Sequence, residues 1–215
     1  MSSSAILPNG RICRYPLRER VVHWIAGISY LYLLLTGLAF WSPWLFWLAT
    51  LFGGGTVSRE LHPWAGLVFV IAVGLMYGLW ANQMHTTQAD REFWRALPHY
   101  VRNEDEQVPP ADRFNAGQKF LFWGFFWCGI LLLLSGLILW FPHLIPWNLR
   151  YLRYAAVIIH PVFALLTIGL FIVHVYMGTA MERDSFHSMV RGDVSAGWAR
   201  KFHPAWYERL MRVPH

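Results

Sequence analysis

The sequence has little charge for its length. Only 14% of its 215 residues are Asp, Glu, Lys or Arg, whereas 56% are hydrophobic and 17% are aromatic. Soluble domains carry about 25% charged residues, so this composition argues against a soluble protein. It predicts one integral membrane domain over residues 1–215.

Cysteine is also scarce. Cys13, near the N-terminus, and Cys128, within an apolar run, are not expected to form a disulfide. The motif Cys-x-x-Cys-His is absent, so any haem in this chain would be held without thioether bonds. The N-terminal segment lacks a short apolar core followed by a cleavage site. The first apolar run is therefore predicted to be an uncleaved anchor.

Four apolar runs are long enough to cross a membrane, since about 20 residues suffice for a helix. They predict an all-α, four-helix membrane bundle followed by a cytoplasmic tail at 182–215. Fifteen of the eighteen Lys and Arg residues lie in the two tails and the segment Met84–Lys119. The positive-inside rule then places both termini in the cytoplasm. The predicted spans are about 21–41, 63–81, 120–141 and 155–181.

Two further segments are expected to lie at the membrane surface. PWLFWLATLFGGG, after the first span, is too short to cross and too apolar for a free loop. It is predicted to follow the outer interface and to turn inward at its three glycines. The basic and aromatic C-terminal region is predicted to be a surface helix on the inner headgroups.

Four histidines are the candidates for metal binding. His160 and His174 are 14 residues apart in the fourth run, about 21 Å along a helix and on nearly one face. His23 lies at the inner start of the first span, and His62 lies at the outer start of the second. Depth therefore pairs His23 with His174 and His62 with His160. Two imidazoles per iron are a normal ligand set for haem b, so two haems b are predicted.

A small residue stands one turn after each of these histidines. A porphyrin bound from a helix lies flat against it, and a large side chain at i+4 would collide with the ring. Small residues also mediate close helix packing in membranes, which is the alternative explanation. The four residues are Gly27, Gly66, Ala164 and Gly178.

Haem propionates need cations, and few cations lie near the predicted outer surface. We expect Arg59 and Arg153 to contact the outer propionates, while Arg18 and Arg20 flank His23 on the inner side. Ordinary interfacial arginines are the alternative. The other six histidines fall in predicted loops or tails and are expected to be solvated. They are His85, His99, His143, His187, His203 and His215.

The segment Phe114–Lys119 precedes the third span on the cytoplasmic side. It offers amide side chains and the exposed N–H groups of a helix start, where the dipole favours developing negative charge. Such a site can bind quinone carbonyls. The same segment also has the composition of a simple helix cap, and the residues alone leave both interpretations open.

Five stretches resemble the cytochrome b (gamma) subunit of membrane-bound respiratory formate dehydrogenase. They are RYPLRERVVHW, RELHPWAG, RFNAGQK, the H-x13-H of the fourth run and GWARKFHPAWYERL, and they extend from about Arg14 to Leu210. RFNAGQK and the C-terminal stretch are specific to that family among di-haem b-type subunits. The resemblance implies that the four histidines bind two haems b, paired as above.

The resemblance also implies a function in the inner membrane of a bacterium. Electrons from formate would reach the outer haem, then the inner haem, and then menaquinone or ubiquinone bound near Asn115, Gly117, Gln118 and His174. Formate oxidation itself would belong to a molybdenum or tungsten pterin (alpha) subunit. That subunit would be joined through an iron–sulfur (beta) subunit on the outer face.

One departure from the family and two alternatives remain. Relatives often carry an arginine between the tryptophan and the proline after the third span, where this chain has Trp140-Phe141-Pro142.

A di-haem subunit of a hydrogenase or thiosulfate reductase would share the histidines but should lack RFNAGQK. A histidine-lined metal or proton transporter is the other alternative. All twelve acidic residues lie outside the predicted spans, which favours electron transfer over ion transport.

Overall fold

A computed structural model describes residues 6–102, 104–182 and 184–212. Within these residues, four helices are long and apolar enough to cross a membrane, so the predicted all-α fold with four membrane-length helices is confirmed. Arg183 and residues 213–215 of the predicted tail, including His215, lie outside the described residues. In chain order the elements are β1 (Ile12–Cys13), α1 (Leu17–Trp41), α2 (Gly55–Trp80), α3 (Gln88–Val101), α4 (Ala116–Trp140), α5 (Tyr151–Tyr176), α6 (Ser185–Arg191), β2 (Asp193–Val194), α7 (Ala196–Phe202) and α8 (Pro204–Met211).

The long helices extend beyond their apolar runs. Helix α2 begins at Gly55 and α4 at Ala116, whereas the apolar runs begin at Pro63 and Phe120. The bilayer limits the length of the apolar part of a helix, but polar residues outside the hydrocarbon can continue the same hydrogen-bond pattern. Hydropathy therefore underestimates the length of these helices.

The apolar segment between α1 and α2 is itself helical. Pro43–Phe52 forms a 3-10 helix, and Gly53 and Gly54 follow it with φ angles of 87° and 93°. Glycine adopts this left-handed conformation at little cost, so the two residues allow the chain to turn into α2. Trp44 is 89% exposed, as expected for an indole that lies in a membrane interface.

The chain divides into two compact units. The bundle unit comprises Val21–Gly78 and Gly124–Ile172, and the terminal unit comprises Met1–Arg20, Leu79–Trp123 and Val173–His215. The bundle unit contains the middle parts of α1 and α2, most of α4 and most of α5. The terminal unit contains both strands and the short helices α3, α6, α7 and α8.

Tyr30 is the central side chain of the bundle unit. Its ring, on α1, contacts Phe69 of α2, Phe125 of α4 and Phe171 of α5 at centroid distances of 5.8, 5.8 and 5.1 Å. Its hydroxyl donates to Thr167 Oγ1 of α5 at 3.2 Å. The side chain is 7% exposed. One aromatic residue therefore contacts all three other long helices, and its buried hydroxyl has a partner.

The terminal unit has its own apolar core. Ile12 of β1 is paired with Val194 of β2 in an antiparallel ladder, and Trp198, Ala199 and Trp206 pack against them. Trp198 and Trp206 are only 5% and 4% exposed. The C-terminal region thus differs from the predicted surface helix, because its tryptophans pack on a two-residue strand that no sequence periodicity reveals.

Arg14 and His203 are among the buried polar side chains of the same unit. Arg14 is 1% exposed, and its guanidinium lies 4.5 Å from the ring of Trp198 and 5.6 Å from that of Trp206. His203, expected to be solvated, is 0% exposed and donates from Nδ1 to the Asp112 carbonyl at 2.5 Å. Burial and the neighbouring charge of Arg14 lower the pKa of His203 well below its ordinary value.

A buried ion pair joins α3 to the start of α4. Thr87 and Asp90 form a capping box at the start of α3. Lys119 Nζ donates to Asp90 Oδ2 at 2.6 Å and to the His85 carbonyl at 3.1 Å, and the Lys119 and Asp90 side chains are each 9% exposed. Burial raises the pKa of Asp90, but hydrogen bonds from Lys119 and Thr87 outweigh it and leave the pKa below its ordinary value.

Replacing Lys119 with Met should destabilise the terminal unit. The substitution leaves a buried carboxylate without its cation, which typically costs about 3–5 kcal/mol. We expect a lower thermal unfolding midpoint in detergent at neutral pH. Because the folded pKa of Asp90 is lowered, its contribution is present above the unfolded value of 3.8 and is lost as the pH falls through the folded pKa.

The control is the double variant Asp90→Asn/Lys119→Met, in which both charges are absent. It should lose less stability than Lys119→Met alone, since no uncompensated charge stays buried. A single variant as stable as the parent chain would contradict the assigned role of the pair.

Candidate haem-binding site

Helices α2 and α5 bring His62 and His160 together in the bundle unit. Their ring centroids are 6.4 Å apart, and the ring planes are inclined at 62°. Two metal–nitrogen bonds of about 2 Å each, together with the half-widths of two imidazoles, span about this distance. The two rings can therefore bind one metal ion between them.

Each of these rings also contacts a helix that carries neither histidine. Thr36 Oγ1 of α1 lies 2.7 Å from His62 Nδ1, and Ser135 Oγ of α4 lies 3.0 Å from His160 Nδ1. These hydroxyls were not predicted from the sequence. A Ser or Thr followed by Gly, at 36–37 and again at 135–136, is the signal in the sequence that could have indicated them.

The small residues predicted beside the ring have space around them. Among the described residues, no heavy atom other than local backbone lies within 4 Å of a Cβ built on Gly27 or Gly178. At Gly66, the first contact is Leu33 Cδ2 at 4.0 Å. These helix faces can accept a flat group, as a haem bound one turn earlier requires.

The donor set fits a haem better than a bare ion. Within residues 6–102, 104–182 and 184–212, no group of three or more His, Cys, Asp and Glu side chains could hold a metal ion. A structural zinc site takes four ligands, usually all from protein. A porphyrin supplies the remaining ligands of its iron, so two histidines suffice.

The other two predicted ligands belong to different units. His23 lies on α1 in the bundle unit, and His174 lies on α5 in the terminal unit, where its side chain is exposed. Their pairing stays a prediction. After His174, α5 continues into a π-helix at Met177–Met181 that contains Gly178. Single π-helical turns are frequent at functional sites.

Two of the four predicted propionate ligands, Arg153 and Arg20, have a buried Nε without a hydrogen-bond partner among the described residues. Arg153 donates from Nη2 to the Ile145 carbonyl at 2.6 Å, while its Nε is buried without a hydrogen-bond partner in the described part of the chain. A buried unpaired guanidinium nitrogen fits an anionic ligand. Arg59 and Arg18 are exposed, and Arg20 donates to the Val190 carbonyl.

The predicted quinone segment forms the cap of α4. Asn115 Oδ1 accepts from the Gln118 N–H at 2.8 Å, and Gln118 Oε1 accepts from the Asn115 N–H at 3.1 Å. This reciprocal pair is a capping box, the alternative that the sequence left open. Gly117 lies in the first turn, where N–H groups have no intrahelical acceptor.

Asn115 also contacts a buried acid that the sequence analysis missed. Its Nδ2 donates to Glu182 Oε1 at 3.1 Å, and Glu182 is 4% exposed. Burial raises the pKa of Glu182, although the charge of Arg14 and the Asn115 hydrogen bond oppose that shift. The amide of Asn115 thus connects the start of α4 to a protonatable group.

Comparison with known proteins gives one family. Residues 14–192 match the family described as prokaryotic cytochrome b561. The chain is 32% identical over 205 residues to the formate dehydrogenase cytochrome b556(fdo) subunit of Escherichia coli (strain K12), covering 94% of each chain. It is 28% identical over 203 residues to the nitrate-inducible cytochrome b556(Fdn) subunit of the same organism, covering 94% of this chain and 93% of the relative.

A relative from another organism shows the same similarity. The formate dehydrogenase cytochrome b556 subunit of Haemophilus influenzae (strain ATCC 51907 / DSM 11121 / KW20 / Rd) is 29% identical over 210 residues, covering 96% of this chain and 87% of the relative. The family match spans α1 to α6 and includes all four candidate histidines. Cytochromes b carry b-type haem, which agrees with the paired imidazoles of α2 and α5. The chain therefore belongs to the prokaryotic cytochrome b561 family.

Proposed function

We propose that this chain is the di-haem cytochrome b subunit of a formate dehydrogenase. The observation that carries the proposal is the approach of the His62 and His160 rings to 6.4 Å within the apolar bundle unit. The similarity to three formate dehydrogenase cytochrome b556 subunits over most of their length supports the choice of complex. In this function the chain passes electrons across the membrane.

His62 and His160 hold the outer haem, and His23 and His174 hold the inner one. A bound haem iron supplies one-electron transfer. The protein orients the four imidazoles from α1, α2 and α5 and surrounds the outer pair with apolar helix faces that exclude water. The inner pairing rests on the depth of the two residues along their helices, as does the direction of transfer from outer to inner site.

Arginine side chains at the outer end balance the charge of the haem propionates. Of the two outer arginines, Arg153 is the better supported, because its buried Nε has no partner in the described part of the chain. Arg59 is exposed at the start of α2 and can move toward the same ligand. Arg18 and Arg20 have the same role at the inner end, although Arg20 already donates to a backbone carbonyl.

The chain works as one subunit of a larger complex in the bacterial inner membrane. Its termini lie in the cytoplasm, in agreement with the distribution of Lys and Arg. An iron–sulfur subunit on the outer face delivers electrons from a molybdenum or tungsten pterin subunit that oxidises formate. This chain contributes electron transfer and quinone reduction.

Quinone reduction takes place beside the start of α4. The Gly117 N–H and the amides of Asn115 and Gln118 bind the headgroup, with His174 close along the path of electrons. The N-terminus of α4 favours the negative charge that develops on a quinone oxygen. Menaquinone and ubiquinone both present the carbonyl oxygens that such donors bind.

Replacing His62 with Ala tests the outer haem. We expect the haem content of the purified protein to fall by about half, because one of two irons loses an axial ligand. The measurement is the ratio of haem to protein from the pyridine haemochrome spectrum. His143→Ala, at an exposed histidine outside the site, is the control and should keep the full ratio.

Full haem content in His62→Ala would show that this residue is not a ligand. A colourless wild-type preparation, isolated with haem supplied during expression, would reject the cytochrome function altogether.

Replacing Asn115 with Ser tests the quinone site. Serine keeps the capping oxygen of α4 but removes the amide donor. We expect quinone reduction to slow by about three- to tenfold, the effect of one lost hydrogen bond, while formate still reduces both haems in the intact complex. Stopped-flow spectra of haem oxidation by added quinone give the rate.

Asn115→Ala is the comparison variant, since it loses the cap as well as the amide. An Asn115→Ser protein that reduces quinone at the wild-type rate would restrict Asn115 to its capping role and remove it from the proposed site.

A further inference from the structure

Two hydroxyl groups face the outer histidines from the helices that supply no outer ligand. Thr36 of α1 faces His62, and Ser135 of α4 faces His160. All four long helices therefore meet at this site, two through imidazoles and two through hydroxyls. Each hydroxyl contacts the Nδ1 atom of its histidine, at 2.7 and 3.0 Å respectively.

Each hydroxyl donates its proton to a backbone carbonyl of its own helix. Thr36 Oγ1 donates to the Tyr32 carbonyl at 2.7 Å, and Ser135 Oγ donates to the Leu131 carbonyl at 2.6 Å. A hydroxyl has one proton to donate and two lone pairs to accept with. With its proton directed to that carbonyl, each hydroxyl can accept from its histidine, and this arrangement places the imidazole proton on Nδ1. The Nε2 atom keeps its lone pair, which is the state that a metal ligand requires.

A glycine follows each hydroxyl and lies against the same ring. A Cβ built on Gly37 would lie 3.7 Å from His62 Cε1, an ordinary contact. A Cβ built on Gly136 would lie 3.2 Å from His160 Cε1, closer than side chains usually approach. His160 is therefore held between a hydroxyl that accepts its proton and a backbone that limits its position.

We propose that Thr36 and Ser135 are positioning residues that set the tautomer, the orientation and the electron donation of the two outer haem ligands. This inference rests on the proposed function, because it assigns a role toward the outer haem. A hydrogen bond from Nδ1–H to an oxygen makes the imidazole a more basic ligand. A more basic ligand stabilises the oxidised iron, so both hydroxyls lower the reduction potential of the outer haem.

The competing explanation is that both residues only satisfy their own helices. Ser and Thr in a helix commonly bond to the carbonyl four residues earlier, and such a bond needs no further partner. Under that explanation the hydroxyls would pack beside the rings without affecting the iron. The two explanations predict different reduction potentials. If the hydroxyls only pack beside the rings, removing a hydroxyl while keeping the shape of the side chain does not change the reduction potential.

The test is a redox titration of Thr36→Val, Thr36→Ser and the wild type, followed by visible absorption of the purified complex. Valine keeps the shape of threonine and removes the hydroxyl, whereas serine keeps the hydroxyl. We expect Thr36→Val to shift the redox equilibrium of the outer haem by about tenfold in favour of the reduced form. This shift raises its reduction potential by about 59 mV for one electron. Thr36→Ser should titrate as the wild type, and the inner haem serves as an internal reference.

Ser135→Ala provides an independent measurement on the other ligand. It should shift the reduction potential of the outer haem in the same direction, because it removes the hydroxyl that faces His160 Nδ1. Unchanged potentials in both Thr36→Val and Ser135→Ala, with both haems bound, would overturn the inference. An equal shift in Thr36→Val and Thr36→Ser would also overturn it, since the effect would then follow shape and not the hydroxyl.

These outcomes are separate from failure of the proposed function. Full haem content in His62→Ala would show that His62 is not a ligand of the outer haem. Unchanged potentials in the hydroxyl variants would instead leave the assignment of that ligand intact. The two inferences can therefore fail one at a time.

Glycine substitutions test the orientation directly. Gly136→Ala should displace the His160 ring and reduce the low-spin signal of the outer haem in electron paramagnetic resonance spectra. Gly37→Ala is the matched control, because its added methyl meets His62 at an ordinary distance. A Gly136→Ala protein with an unaltered low-spin signal would show that the backbone at Gly136 does not hold the ring.

Discussion

A histidine inside a lipid bilayer has two ring nitrogens that need partners, and no water is available to supply them. In the bundle unit, His62 and His160 each have a hydroxyl oxygen within 3.0 Å of Nδ1. These contacts connect α1 to α2 and α4 to α5. Tyr30 contacts the three other long helices and holds the same arrangement with apolar and hydrogen-bonded contacts.

In the terminal unit, buried charged groups must also find partners within the protein. Arg14 is buried, so its guanidinium stacks on Trp198 and donates to the Arg113 carbonyl at 3.2 Å. Arg113 in turn donates to the Arg14 carbonyl and forms a 2.6 Å ion pair with Glu19. Charged side chains here are paired or stacked because an isolated buried charge is costly. These contacts fix the start of α4, where the proposed quinone site lies.

The stretches that carried the family resemblance have clear structural roles. In RFNAGQK, Arg113 pairs with Glu19, Asn115 and Gln118 cap α4, and Lys119 pairs with Asp90. The tryptophans of the C-terminal stretch form the core of the terminal unit. Motif recognition therefore gave the correct family while leaving the physical role of its residues open, since a motif does not distinguish a cap from a binding site.

Sequence alone determined the membrane class, the four long helices and the histidines worth testing, because hydropathy, charge and helical spacing are local properties. It could not determine that His203 is buried, that β1 pairs with β2, or that Thr36 and Ser135 face His62 and His160. Those facts depend on contacts between residues that are 26, 25 or up to 182 positions apart in the chain. Such contacts arise only when the helices pack, so the tertiary structure decided which hydroxyl lies beside each imidazole.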